Sequence, residues 1–175
     1  LIKAQRNDVE FQLLGAIDSG NPSGVPQSVV EDAVSNGFIN YLGTTSDVLP
    51  IIREADCMVL PSYREGISRV LMEAASMEKP IIATNVTGCR EVINDGETGF
   101  LCKVKSPVDL AHKMAKIINM TEKEKVVMGQ KGRVKVIEEM DLEKIIDIYD
   151  YKIAAVLGEE EGITVDLQEL ISLRK

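Results

Sequence analysis

The chain alternates between short apolar runs and segments in which apolar residues recur at helical spacing. Residues 57–60 and 81–83 are continuous apolar runs next to prolines, which is typical of strands buried on both faces of a parallel sheet. Between them, from about Ser68 to Ser76, apolar residues recur as they do on the buried face of a helix. We therefore predict one strand–helix–strand unit with a right-handed crossover at the centre of the chain.

The rest of the chain continues this alternation of strand-like and helix-like segments. Further strands are predicted at residues 9–14, 38–42 and 100–104, and helices at residues 27–35, 47–55, 108–118, 121–140 and 141–157, with a short helix beginning at Gly88. Residues 1–7 are expected to be the tail of a helix, and residues 17–26 a loop. In the helix at residues 27–35 we expect a buried stripe, formed by Val29, Val30, Ala33 and Val34. Strands that alternate with helices favour an α/β fold with a parallel sheet.

The composition is that of an ordinary globular domain with an acidic balance. At 175 residues, of which 45% are hydrophobic and 27% charged, the chain is long enough for one domain with a sizeable core. The net charge of −8 and the pI near 4.8 argue against a nucleic-acid or anionic-membrane surface on the chain as a whole. The three cysteines lack metal-ligand spacing, and we expect reduced, buried thiols in a cytoplasmic protein.

Two glutamates bracket the start of the central helix. Glu65 precedes the helix and Glu73 follows eight residues later. Between them, the free backbone N–H groups and the positive dipole end of the helix favour an anion. A nucleotide-sugar would match all three features, with its sugar at Glu65, phosphate at the helix start and the ribose diol at Glu73. Spacing alone leaves a second interpretation open, because exposed glutamates near helix starts are common and two solvated carboxylates would give the same pattern.

The sequence around these glutamates resembles that of a known enzyme family. Residues 65–73, Glu-Gly-Ile-Ser-Arg-Val-Leu-Met-Glu, resemble the E-x7-E signature of retaining glycosyltransferases with the GT-B fold, the glycosyl transferases group 1 (family 4 type). Residues 55–66 resemble the family's AD-x-x-x-LPS-x-x-EG segment, residues 78–93 its next strand and G-x-x-E-[LV]-[IV] loop, and residues 94–101 its DG-x-x-G-x-L hairpin. This resemblance implies a Rossmann-like, doubly wound, mainly parallel α/β sheet that forms the C-terminal, donor-binding half of a GT-B enzyme.

The resemblance also implies roles for the residues of the motif. Glu65 would hydrogen-bond sugar hydroxyls and assist the positive charge that develops near the anomeric carbon. Glu73 would hold both ribose hydroxyls. Backbone N–H groups at the helix start would hold the sugar and the diphosphate, and the residues concerned are Gly66, Ile67, Ser68, Arg69 and Val70. No metal is expected, and the nucleoside-diphosphate sugar is a donor substrate rather than a cofactor.

Two further segments are assigned by the same resemblance. Gly43, Thr44 and Thr45 would lie near the nucleotide base, and Gly88 would approach the transferred sugar. The family often has Phe-Gly after the first glutamate, whereas this chain has Gly66-Ile67-Ser68. This variant is similar to a branch of bacterial surface-polysaccharide transferases, which favours a UDP-sugar as the donor.

The implied activity is transfer of a hexose or N-acetylhexosamine, with retention, from a nucleoside-diphosphate sugar to a surface-polysaccharide or lipid-linked glycan acceptor. The acceptor would bind through an N-terminal domain that this chain lacks, so the chain by itself is expected to be inactive. The complete enzyme is expected in the bacterial cytoplasm, at the inner face of the membrane, without a nucleic-acid partner.

The resemblance divides the chain into three parts. Residues 1–140 are expected to form the nucleotide-sugar-binding domain, without an earlier strand and the glycine-rich phosphate loop. Residues 141–157 would be a crossover helix that packs on the N-terminal domain, and residues 158–175 a hinge and a weakly ordered extension. Without that domain, the apolar stripe of residues 141–157 would be partly exposed, and would fold back or pair with a second copy of the chain.

Two other functions stay open at this point. One is a GT-B-like nucleotide-sugar epimerase domain, which would keep the nucleotide pocket but needs catalytic carboxylates that the sequence does not place. The other is a non-enzymatic α/β assembly module, in which Glu65 and Glu73 are surface groups.

The Gly129-x-x-Gly132 spacing outwardly matches the loop of KH modules, which bind nucleic acid. The flanking elements and the basic face of such a module are missing here, so a helix is the better interpretation.

Overall fold

The computed structural model of the protein describes residues 1–17, 20 and 24–157. The predicted hinge and extension at residues 158–175 lie outside the described residues, as does most of the central part of the loop predicted at 17–26.

The strands of the described residues are short and all pair in parallel. They are β1 (Gln12–Leu14), β2 (Asn40–Gly43), β3 (Met58–Leu60), β4 (Ile81–Thr84) and β5 (Gly99–Cys102). They form two sheets, one with β1 beside β2 and one in the order β3-β4-β5. The two strand orders are compatible with the six-stranded Rossmann order, in which one further strand would lie between the two sheets. The parallel α/β class is confirmed, and the expectation of an earlier strand stays a prediction.

The helices agree closely with the hydrophobic pattern. They are α1 (Gln27–Ser35), α2 (Leu49–Glu54), α3 (Arg69–Ser76), α4 (Thr87–Val92), α5 (Pro107–Asn119), α6 (Glu122–Glu139) and α7 (Leu142–Leu157). The largest difference in a helix start is at α2, which begins two residues later than predicted. The carboxylate of Asp47 accepts a hydrogen bond from the N–H of Leu49 (3.0 Å), so Asp47 stands before the helix and satisfies one of its first donors. The predicted helix tail at residues 1–7 is only a 3-10 turn, Ile2–Ala4.

Strand β4 is the centre of the core, because all four of its residues are buried. On one face, Ile81 and Ala83 pack with residues of α3 and α4. On the other face, Ile82 packs with Ile117 of α5 and with Met128 of α6. Helices therefore cover both faces of the three-stranded sheet, which is the doubly wound arrangement that the resemblance implied.

The predicted buried stripe of α1 is wrong. Val30 is only 5% exposed, but Val29 is 51% and Val34 is 42% exposed. Helix α1 packs on β2, at the edge of a sheet of two strands. A sheet this narrow covers only a thin line of the helix surface, so a single valine is buried.

The two glycines of the predicted KH-like spacing lie in α6, where both are buried. A Cβ built on Gly129 would stand 1.8 Å from the carbonyl oxygen of Glu78, which follows α3. Gly129 therefore lets the backbone of α6 approach the end of α3 closely. This confirms the helix interpretation and gives the glycine a packing role.

Helix α7 carries the apolar surface that the sequence predicted. Leu142, Ile148, Tyr149 and Ile153 are each at least about half exposed, at 69%, 55%, 64% and 49%. Partial exposure of the stripe is therefore confirmed, whereas pairing with a second copy stays a prediction. Within the described part of the chain, no helix combines the length and the apolar character that a membrane crossing requires.

Candidate functional site

The glutamate motif spans a loop and the first two turns of a helix. Strand β3 ends at Leu60, and α3 begins at Arg69 after Ser68, its N-cap residue. Glu65 thus lies in the loop, which we call the motif loop (residues 61–68), and Glu73 lies in the second turn of α3. Such a loop follows the carboxyl end of a parallel strand, where ligands of α/β sheets bind.

The start of α3 offers backbone donors to a ligand. Arg69 and Val70 occupy the first two helical positions, where no carbonyl of the helix can accept from their N–H groups. Gly66 is exposed and the side chain of Ile67 is 62% exposed, so the loop presents an open surface here. Ser68 is buried, and its carbonyl accepts from the N–H groups of Leu71 and Met72. Free N–H groups at a helix start are suited to an anion.

Glu65 is half-buried and lies close to the thiol of Cys89 in α4. Burial raises the pKa of Cys89, and the negative charge of Glu65 raises it further. The thiol is therefore protonated beside the carboxylate and does not repel it. Cys89 is wholly buried and belongs to the core cluster that includes Ile81 and Ala83 of β4.

Gly88 lies directly against the motif loop. A Cβ built on it would stand 1.6 Å from the carbonyl oxygen of Gly66 and 2.7 Å from that of Glu65. Any side chain at this position would displace the loop backbone. Gly88 and the loop thus meet in a contact between two backbones, which the sequence analysis did not predict. An approach of Gly88 to a sugar stays a prediction.

Thr84 is a site residue that the sequence reasoning missed. It ends β4, is 2% exposed, and its hydroxyl donates a hydrogen bond to the carbonyl oxygen of Ser62 in the motif loop. The signal was present in the sequence, because Thr84 is a polar residue that directly follows the apolar run 81–83. A buried hydroxyl requires a partner, and at the carboxyl end of a strand the partner lies in a neighbouring loop.

On α3, Glu73 is paired with Arg69 one turn earlier. The Nε of Arg69 donates to Oε1 of Glu73 at 2.9 Å. The side chain of Glu73 is 24% exposed, and that of Arg69 is 89% exposed. The pair engages one carboxylate oxygen of Glu73, Oε1.

The segment predicted near the base lies in the other sheet. Gly43 ends β2 with φ +71°, and its carbonyl accepts from the N–H of Gly15 (2.8 Å). Thr44 is exposed, and the hydroxyl of Thr45 accepts from the N–H of Asp47 (3.1 Å). Among the described residues, strand pairing does not join this sheet to the one that carries the motif loop. The structure brings the backbones of Glu65, Gly66 and Gly88 together, and the position of Gly43, Thr44 and Thr45 near a base stays a prediction.

The described part of the chain has no group of side chains that could together bind a metal ion. No group of three or more His, Cys, Asp or Glu side chains converges there. Burial raises the pKa of Cys57 to about 12 and also raises the pKa of Cys102, so both thiols are protonated and are poor ligands. The single histidine, His112, lines an open groove with Phe100 and Met120, on the face covered by α5 and α6.

Comparison with known proteins places the chain among glycosyltransferases. Residues 1–120 match the family described as glycosyl transferases group 1. The capsular polysaccharide biosynthesis glycosyltransferase CapM of Staphylococcus aureus is 27% identical over 162 residues, which cover 93% of this chain and 42% of that protein. The N,N'-diacetylbacillosaminyl-diphospho-undecaprenol alpha-1,3-N-acetylgalactosaminyltransferase of Campylobacter jejuni is 29% identical over 113 residues, which cover 65% of this chain and 29% of that protein.

A solved structure supports the fold. HepE of Anabaena, in complex with UDP, matches 90% of this chain and 43% of its own chain, with a TM-score of 0.74 and 21% identity. The present chain spans about a third of the length of the two enzymes above, at 42% and 29%. The α/β fold shared with GT-B glycosyltransferases is thus confirmed. Because the family match extends over more than half of its residues, this chain belongs to the glycosyl transferases group 1 family.

Proposed function

We propose that this chain is the donor-binding domain of a retaining glycosyltransferase that takes a UDP-sugar. One observation carries the proposal: Glu65 and Glu73 flank the free N-terminus of α3, at the carboxyl end of β3. Carboxylates suit the hydroxyls of sugar and ribose, and the N–H groups between them suit a diphosphate. A nucleoside-diphosphate sugar has these groups in this order.

In the proposed mechanism, each part of the motif acts on one part of the donor. Glu65 hydrogen-bonds the hydroxyls of the transferred sugar and stabilises positive charge near the anomeric carbon. The N–H groups of Gly66 to Val70 hold the diphosphate and stabilise the negative charge that grows on it as the bond to the sugar breaks. Glu73 accepts from the two ribose hydroxyls, while Arg69 holds its carboxylate in place.

The UDP and sugar assignments rest on relatives and on the loop sequence. HepE was solved with UDP and with UDP-glucose, and TarM of Staphylococcus aureus with UDP. The Gly66-Ile67-Ser68 sequence also favours this nucleotide by resemblance. We extend the proposal to a hexose or N-acetylhexosamine as the transferred group, with Gly43, Thr44 and Thr45 near the base.

We propose that the acceptor binds through residues that this chain does not include, since the chain spans only 42% and 29% of two of its relatives. Among its relatives, CapM is named for capsular polysaccharide and the Campylobacter jejuni enzyme for a diphospho-undecaprenol substrate. We propose a surface-polysaccharide or lipid-linked acceptor, met at the cytoplasmic face of a bacterial membrane. A GT-B-like epimerase would bind the same donor, and only sugar transfer by the complete protein separates it from a transferase.

The decisive experiment is titration of the 15N-labelled chain with UDP, UDP-N-acetylglucosamine, UDP-galactose and GDP, followed by NMR. We expect UDP-dependent shifts at residues 43–45 and 66–73. Glu73→Ala should weaken UDP binding at least about tenfold, which corresponds to the loss of hydrogen bonds to a charged group. The matched control is Glu91→Ala, since Glu91 is exposed on α4 and has no proposed role.

Two results would count against the proposal. If millimolar UDP and UDP-sugars leave every signal unchanged, the chain is not a donor-binding domain by itself and the assembly-module interpretation gains support. If shifts occur but Glu73→Ala and Glu91→Ala behave alike, nucleotide binding does not use the motif.

A further inference from the structure

We propose that Thr84 is a positioning residue that orients Glu65 toward the donor sugar, by anchoring the motif loop from beneath. The inference rests on the proposed function in one respect, namely that Glu65 contacts the sugar. It adds a residue outside the glutamate motif that acts mainly on the sugar end of the site, because the nucleotide end also uses Arg69, Val70 and Glu73 of α3.

Thr84 is buried at a position where a hydroxyl without a hydrogen-bond partner would destabilise the fold. It is the last residue of β4, whose four residues are all buried, and it is 2% exposed. The other residues of this strand are Ile81, Ile82 and Ala83, so the hydroxyl is the polar group at the end of an apolar strand. Burying a hydroxyl without a partner costs about 1–3 kcal/mol, and here a partner is present.

The hydroxyl extends the connection between β3 and β4 into the motif loop. The strand pairing reaches its last partners at Leu60 and Ala83. One residue further along β4, Thr84 donates its side-chain hydrogen bond to the carbonyl oxygen of Ser62, two residues beyond the end of β3. Ser62 stands three residues before Glu65, so this bond fixes the position from which the loop departs.

A second contact from the same unit holds the loop on the other side of Glu65. Helix α4 follows β4, and its Gly88 lies against the carbonyl groups of Glu65 and Gly66. Glu65 is therefore held between an anchor at Ser62 and a close backbone contact at Gly66.

Glu73 is positioned by other contacts. It lies on α3, which is fixed by burial of Leu71, Ala74 and Ala75 in the core, and its carboxylate is held by Arg69. Loss of the Thr84 hydroxyl should therefore loosen Glu65 and leave Glu73 in place. This difference separates a positioning role from a general contribution to stability.

The first measurement needs no ligand. Amide exchange and 15N relaxation are compared for the wild-type chain, Thr84→Val, Thr84→Ser and Thr98→Val. Thr98 is the matched control, since it is 4% exposed and its hydroxyl accepts from the N–H of Asn94 (2.9 Å), away from the motif loop. We expect faster exchange and lower order parameters at residues 62–67 in Thr84→Val alone, with Thr84→Ser close to wild type.

If the loop in Thr84→Val behaves as it does in wild type, the proposal is overturned. If Thr84→Val does not fold, Thr84→Ala takes its place.

The second measurement uses calorimetric titration with UDP and with the UDP-sugar that wild type binds most tightly. In Thr84→Val, we expect the affinity for the UDP-sugar to fall about fivefold or more, and the affinity for UDP alone, which also uses α3, to fall by a smaller factor. Equal losses for both ligands, or equal losses in Thr98→Val, overturn the positioning role. If wild type binds neither ligand, the proposed function fails instead, and the ligand-free measurement still decides whether Thr84 anchors the loop.

Discussion

Arg69 and Glu73 form an ion pair one helical turn apart on α3, with 2.9 Å between Nε and Oε1. Its exposed position means that solvent screens most of the attraction, so the pair adds little to the stability of the fold. Its effect is on orientation, since it selects one direction for the carboxylate that is proposed to meet the ribose.

We predict that Arg69→Ala leaves the thermal stability almost unchanged, within about 0.5 kcal/mol, because an exposed pair at this spacing contributes no more than that. The affinity for UDP should fall about threefold, since the carboxylate loses the partner that orients it. Thermal unfolding and calorimetric titration measure the two quantities. Tighter binding of UDP in this variant would show that the ion pair competes with the ligand.

The close approach of Gly88 to the motif loop predicts a large effect of one methyl group. Gly88→Ala would place a Cβ 1.6 Å from the carbonyl oxygen of Gly66, and the backbone must move. We expect a loss of about 1–3 kcal/mol in the free energy of unfolding, measured with urea. Gly66→Ala is the matched control, since its Cβ would meet no atom within 4 Å and it should retain stability.

Helix α6 supplies a second matched pair. Gly129→Ala should destabilise the chain by about 1–3 kcal/mol, because its Cβ would stand 1.8 Å from the carbonyl oxygen of Glu78. Gly132→Ala should instead be neutral or add up to about 1 kcal/mol, because the nearest atom lies at 3.6 Å and alanine favours a helix. Urea unfolding tests both variants, and equal effects would contradict the packing of α6 on α3.

The cysteines should be unreactive in the folded chain. Burial raises the pKa of Cys57 to about 12 and also raises the pKa values of Cys89 and Cys102. Each of the three thiols is therefore almost fully protonated at pH 8. We expect negligible reaction with a disulfide reagent at this pH, and three reactive thiols per chain in denaturant. Rapid labelling of a native cysteine would show that the core around β3, α4 or β5 opens readily.

The start of α6 predicts a small dependence of stability on pH. The carboxylate of Glu124 accepts from the hydroxyl and the N–H of Thr121, and these bonds lower the pKa of Glu124 from its ordinary value of 4.5. The stabilisation is therefore full above pH 4.5 and is lost as the pH falls through the lower, folded-state pKa. In Glu124→Gln this component of the acid unfolding curve should be absent. A curve that superimposes on that of wild type would contradict the capping role.

Local sequence pattern predicted most of the helices, because each has a periodic apolar face or a capping residue of its own. The bounds of α1 agree fully with the prediction, and α6 begins one residue after the predicted start, with Thr121 as its N-cap. Strands were less accurate: residues 9–14 predicted a strand, but only Gln12–Leu14 forms one. A strand extends only as far as a neighbouring strand pairs with it, and the sequence of one strand does not give the length of its neighbour.

Sequence alone was sufficient for the glutamate motif, the family and the parallel α/β class, because these depend on residue order and on local hydrophobic spacing. The division into two sheets, the single buried valine of α1 and the contacts of Thr84 and Gly88 with the motif loop appeared only in the tertiary structure. Ser62 and Thr84 are 22 residues apart, and Gly66 and Gly88 are equally distant along the chain. Such contacts depend on how neighbouring strands align and how closely two backbones approach, and no local pattern encodes either quantity.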